Sequence, residues 1–137
     1  MPAGDFGLNS AVVPISIGEL IDKITILEIK SERIHDETKL RNVRSELSLL
    51  NGILLSLTFI PPGINALKKE LRTINEMLWD IEDRIRGCEQ RKEFRDEFIE
   101  LARSVYITND RRALIKREIN DMTRSTIVEE KSYQNYR

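Results

Sequence analysis

The pattern that most restricts this chain is one set of apolar residues: Leu67, Leu71, Ile74, Leu78, Ile81, Ile85 and Cys88, spaced 4, 3, 4, 3, 4 and 3. A repeat of 3.5 residues keeps such a set on one side of an α-helix, where another helix can cover it. A strand would throw neighbouring members to opposite faces. A second stripe with spacings of 3 and 4, Leu40, Val43, Leu47, Leu50, Leu54 and Leu57, precedes it. Between the two lies Pro61-Pro62-Gly63. No helix continues through that segment, because proline lacks the N–H and clashes with the preceding turn. Two long helices folded back across this turn, stripes facing, are therefore expected.

Other boundaries follow from capping chemistry. Ser16 to Glu19, SIGE, has capping-box spacing: the serine oxygen takes an unpaired N–H while the glutamate reaches back. Ile17, Leu20, Ile21, Ile24 and Leu27 follow at helical spacing, and Ile26 and Ile29 widen the apolar arc. This helix is expected to be packed on two sides or to carry a dimer surface. The stripes skip at His35–Lys39, where Asp36 can cap a second helix, and again at Arg91–Glu93, before Phe94, Phe98, Leu101 and Val105. Spacing leaves open whether each skip is a kink or a turn. Asn109 can cap a last helix.

The expected fold class is all-α, an antiparallel helical hairpin or bundle with long heptad-like helices and a shorter C-terminal helix. It forms a single domain: an arm at 1–15, helices one and two at 16–57, a long helical segment at 64–106, a last helix at 109–123 and a tail at 124–137. In the arm, Pro14 biases the residue before it away from helix, and Ala11–Ile15 reads as a short extended piece. The tail reads as a loop with a short helical turn.

Composition narrows function by exclusion. Charged residues make up 33% of the chain, yet the net charge is −1. That balance argues against a non-specific nucleic-acid binder. One cysteine, Cys88, and one histidine, His35, exclude an internal disulfide and any zinc site built on several of either. Cys88 falls in the apolar stripe and reads as a small core residue. No apolar run approaches the roughly 20 residues of a membrane span, and no secretory leader is legible. The cytoplasm is the expected location, and no membrane contact is expected. Glu76, Asp80 and Asp83 stack along one helix face and would suit a hydrated cation. Helix faces rich in acids are common, so a solvated face is the preferred reading, and no metal or cofactor is assigned.

The C-terminal third holds the candidate site. On a helical wheel, Leu114, Ile115, Ile119 and Met122 define an apolar arc that also contains Arg111 and Glu118. Charges on a buried face need partners, and Glu129, Glu130 and Lys131 can supply them if the tail folds back. Two readings compete. One is an ion-pair network tying the tail to the helix. The other is a pocket in which Arg111, assisted by Arg112 or Lys116, recognises an anion. Asp22, Lys23 and Lys30 read as salt bridges along an exposed stripe of the first helix.

Four stretches, Pro14–Ile34, Lys39–Leu47, Leu101–Asn120 and Val128–Tyr133, resemble an uncharacterised family of small bacterial and phage proteins. The resemblance implies no activity. Its relatives' association with glycosyltransferase-type or repeat domains implies a role near surface-polysaccharide assembly. Two functions are carried forward. The first is a non-catalytic interaction or assembly module, as a homodimer or with a protein partner. The second is a binding protein or enzyme for an anionic metabolite such as a phosphorylated or nucleotide sugar.

Overall fold

A computed structural model describes residues 9–137. Of these, 72% are helical and none is in a strand, as the all-α expectation requires. The helices are α1 (Ile17–Arg33), α2 (Glu37–Ser56), α3 (Ile64–Arg91) and α4 (Asp96–Thr123). Residues 1–8, the greater part of the expected arm, lie outside the described residues.

Each boundary has a local cause. Ser16 opens α1 by accepting the N–H of Glu19 at 3.0 Å. Glu19 does not complete the box, because its carboxylate is engaged by Lys116 at 2.7 Å. The skip at His35–Lys39 is a full turn, with Asp36 accepting the N–H of Lys39 at 2.9 Å. The skip at Arg91–Glu93 is also a turn, closed without glycine. Lys92 takes the left-handed conformation, φ 55°, at a cost of about 1–2 kcal/mol for a residue with a Cβ. In return, the N–H groups of Lys92 and Glu93 bond back to Glu89 and Cys88 at 3.1 and 2.9 Å. Arg124, φ 52°, ends α4 the same way, and the N–H of Ser125 reaches the carbonyl of Asn120 at 2.9 Å. Both are Schellman closures.

Two expectations are corrected. No helix begins at Asn109, because α4 runs unbroken for 28 residues and equals α3 in length. The expected segment 64–106 is instead cut at Lys92, and its second part joins the last helix. Asparagine inside a helix costs only some tenths of a kcal/mol, so a residue able to cap need not do so. The second correction concerns packing. The stripes of α2 and α3 do not face each other: α1 is the hub, packed against α2, α3 and α4, while α2 runs along α1 alone. The wide apolar arc of α1 therefore serves three neighbours within the chain. Ile29, half of the expected dimer surface, is buried there. The shared core gathers Ile21 from α1, Ile64, Leu71 and Ile74 from α3, and Ile115 and Ile119 from α4. Leu54 of α2 only reaches its edge.

Candidate functional site

The buried face of α4 is largely polar. It carries Thr108, Lys116, Asn120 and Thr123 between Leu101, Ile115 and Ile119. This face lies against the N-terminal half of α1, where the backbones come unusually close. A Cβ on Gly18 would stand 2.6 Å from the carbonyl oxygen of Lys116 and 2.9 Å from Oδ1 of Asn120. Glycine is what admits that approach. Asn120 uses the proximity to accept the N–H of Gly18 at 2.7 Å, and Ser125 accepts that of Ile17 at 3.2 Å. The N–H groups that usually lack partners at a helix start are thus occupied by α4 and the chain just beyond it.

One turn further along α1, Asp22 is fully buried. Its carboxylate is surrounded on all sides. Nδ2 of Asn75, from α3, donates to Oδ1 at 2.9 Å and to Oγ1 of Thr25 at the same distance. The Thr25 hydroxyl donates in turn to the carbonyl of Asp22 at 2.7 Å. Arg112, from α4, approaches side-on: Nε reaches Oδ1 at 3.0 Å and Nη2 binds Oδ2. Such a paired guanidinium fork is the strongest neutralisation a carboxylate can receive from one side chain. Lys116 stands 3.8 Å from Oδ2, 2.7 Å from Glu19 and 3.3 Å from Glu129. The Asp22 hydrogen bonds raise the Arg112 pKa above its ordinary value. For Lys116, burial opposes the charge, but the Glu19 bond and the charges of Asp22, Glu19 and Glu129 prevail and raise its pKa. Both cations stay charged at neutral pH, matched against Asp22, Glu19 and Glu129.

The tail completes this junction from outside. After Ser125 it turns back along α4 without any helical turn. Glu129 meets Lys116, Glu130 meets Arg117 at 3.0 Å, and Lys131 lies 3.7 Å from Glu129. The hydroxyl of Tyr136 donates to Asp110 at 2.6 Å, and its ring stacks edge-on against Tyr106.

Of the candidates from the sequence, Arg112, Lys116 and Glu129 come together, with Lys131 and Glu130 alongside. Arg111 and Glu118 do not join them, since both are exposed. The wheel was misled by Leu114, 66% exposed, and Met122, 39% exposed. They drew the apolar arc about a quarter-turn from the face that is buried, at 100° per residue. The residues that mark the true face are polar. Asp22, expected on an exposed stripe, is the centre of the network, and Asn75, Thr25 and Asn120 were not singled out. Only Asp22 left a signal: it stands in the apolar arc beside Ile21 and two residues before Ile24. Of the stacked acids, Asp80 pairs with Arg33 at 2.6 Å and Glu76 with Arg72 at 3.1 Å. Among the described residues no group of His, Cys, Asp or Glu is placed to hold a metal.

Beside the Asp22–Arg112 pair opens a cleft of about 350 Å³ between α1, α3 and α4. Ile26, Ile29, Leu78 and Trp79 give it an apolar floor, and Asn75 and Arg112 form part of its wall. A groove with a few convergent polar groups is the usual form of a binding site.

Fold and junction together define, among the described residues, a four-helix protein whose α1–α4 junction is matched in charge. The chain belongs to a family of unknown function (DUF6165), whose model matches residues 11–136. No curated protein and no solved structure matches it.

Proposed function

We propose that this protein is a non-catalytic assembly module that pairs with a second copy of itself through the open flank of α2. One observation carries the reading. No charged residue occurs between Glu46 and Lys68, in a chain that is otherwise one-third charged. Three of its large apolar side chains stand well out in solvent: Leu49, Leu55 and Phe59 are 46%, 86% and 53% exposed. Exposed apolar side chains of this size gain free energy when association removes them from water. A stretch with no charge of its own offers little to select a charged partner, whereas a second copy related by a two-fold axis brings the same apolar side chains to the contact. An antiparallel pair centred on the C-terminal half of α2 would lay the two charge-free halves over each other and keep the charged N-terminal halves apart.

The matched junction supports the same reading. Arg112 and Lys116 are balanced by Asp22, Glu19 and Glu129, which leaves little uncompensated charge for an anionic metabolite. A cytoplasmic location fits a buried cysteine that is free, and no helix among the described residues is long and apolar enough to cross a membrane. The test is light scattering on wild type and Leu55→Glu. A wild-type dimer that Leu55→Glu converts to monomer, with unchanged helicity, is expected. A wild type that stays monomeric at about 100 µM, a concentration at which micromolar pairs form, overturns the self-association.

A further inference from the structure

The cleft beside Asp22 lies away from the α2 flank and carries an unused hydrogen-bonding edge. Asn75 is 6% exposed. Its amide orientation is fixed, because Nδ2 faces the acceptor-only carboxylate of Asp22. Its carbonyl oxygen is therefore turned the other way, and it accepts no hydrogen bond among the described residues. Asn75 lines the cleft, so this oxygen is open to whatever enters it. Arg112 presents the complementary group. Nε and Nη2 are held by Asp22, while Nη1 has only a 3.5 Å contact with Asn109. Asn75 and Arg112 both bond to Oδ1 of Asp22, so one carboxylate oxygen holds an open acceptor and an open donor on neighbouring side chains.

We propose that this cleft docks one residue of an extended peptide segment with an aliphatic side chain. In an extended strand a residue presents its own N–H and C=O along the same edge. The N–H donates to Oδ1 of Asn75 and the C=O accepts from Nη1 of Arg112. The side chain rests on Ile26, Leu78 and Trp79. The cleft's volume of about 350 Å³ lies at the small end for binding sites, which suits a residue or two rather than a whole metabolite. Charge argues the same way. Glu82 and Arg86 at the rim neutralise each other at 2.6 Å, and Arg112 is committed to Asp22, so a neutral backbone fits where a phosphate does not. Asp22 is a positioning residue here: it holds both side chains and does not touch the peptide.

Trp79 is the chain's single tryptophan and stands in the cleft floor, so it reports occupancy directly. The probe is N-acetyl-L-leucinamide, added to the full chain while Trp79 fluorescence and the side-chain resonances of Trp79 and Asn75 are followed. A saturable change in the millimolar range is expected. The ester analogue, in which oxygen replaces the leucine N–H, should bind at least about tenfold more weakly, as loss of one good hydrogen bond implies. Ile26→Phe, at a half-buried position of the floor, fills the cleft and should abolish the response at an unchanged melting temperature. No saturable change by about 50 mM, equal response to amide and ester, or undiminished binding by a folded Ile26→Phe protein each overturns the proposal. Equal response would mean that apolar contact alone draws the probe in.

Discussion

The junction of α1 with α4 and the flank of α2 meet the same central helix by opposite means. At the junction, a missing Cβ on Gly18 lets two backbones nearly touch, and the space beside them is filled by charged and polar side chains that satisfy one another. On the flank, α2 brings leucine after leucine, yet only Leu40 and Val43 are buried. The polar contact is closed and directional, whereas the apolar one is open and tolerant. Hydrophobic burial has no direction, so α2 can lie along α1 in many slightly different ways. A carboxylate gripped by a guanidinium fork has one arrangement. The junction therefore sets how α1 and α4 are placed, and the flank leaves apolar side chains uncovered.

The contrast is tested most severely by removing the central charge. Asp22→Ala leaves Arg112 and Lys116 without their shared carboxylate and takes from Asn75 one of its two acceptors. Removing one member of a buried ion pair typically costs about 3–5 kcal/mol, and chemical denaturation should show a loss of that size. Leu47→Ala on half-buried α2 deletes more apolar surface but should cost only about 1 kcal/mol, well below the range for fully buried leucines. If the two losses are equal, or their order is reversed, the division into a determining junction and a tolerant flank is wrong.

A milder challenge is pH, because the junction holds titratable groups and the flank of α2 holds none. For Glu129, burial opposes the charge, but Lys116 and Lys131 outweigh it and lower its pKa. A carboxylate whose folded pKa is depressed contributes stability above its unfolded pKa and loses it as pH falls through the folded value. Lys116, with a raised pKa, works in the opposite direction. Its contribution is complete below the ordinary lysine value and is lost only as pH rises through the folded one. The tail should thus stay docked across neutral pH and loosen in acid. Hydrogen exchange of residues 126–133 should accelerate at the low end of the carboxylate range, while α2 exchanges as before once the intrinsic pH dependence is removed. Uniform acceleration in both regions would mean that the whole fold, rather than the latch, responds.

What could be read in advance follows the same division. Helix content, the caps at Ser16 and Asp36 and the proline turn were legible because they depend on near neighbours. The turn at Lys92 announced itself only as a skip in spacing, because a lysine occupies the left-handed position where glycine would have marked it. The partner of α2 was misassigned because an apolar stripe says that it wants cover without saying from which helix. The centre of the junction was missed for a different reason. Asp22, Asn75 and Arg112 come from three helices, and each is an ordinary surface residue type until the others arrive. Hydrophobic patterning finds buried faces by their grease, and α4 turns a polar face inward.

The smallest expected effect bears on that last point. Arg111 and Arg112 are adjacent in sequence and about 100° apart around α4, so replacing each with methionine asks which face is committed. Arg112→Met strands Asp22 at 0% exposure, and the protein should melt far lower, with a loss approaching that of Asp22→Ala. Arg111 is exposed and has no bond or ion pair in the junction. Arg111→Met should change stability by no more than about 0.5 kcal/mol in either direction, as for most surface substitutions. Glu118→Gln, on the same exposed side, should be equally silent. Thermal melts of the three variants at one ionic strength decide the matter. A clear loss in Arg111→Met would mean that the apolar arc through Leu114 and Met122 is covered after all, and the second copy we propose on α2 would then have to reach α4 as well.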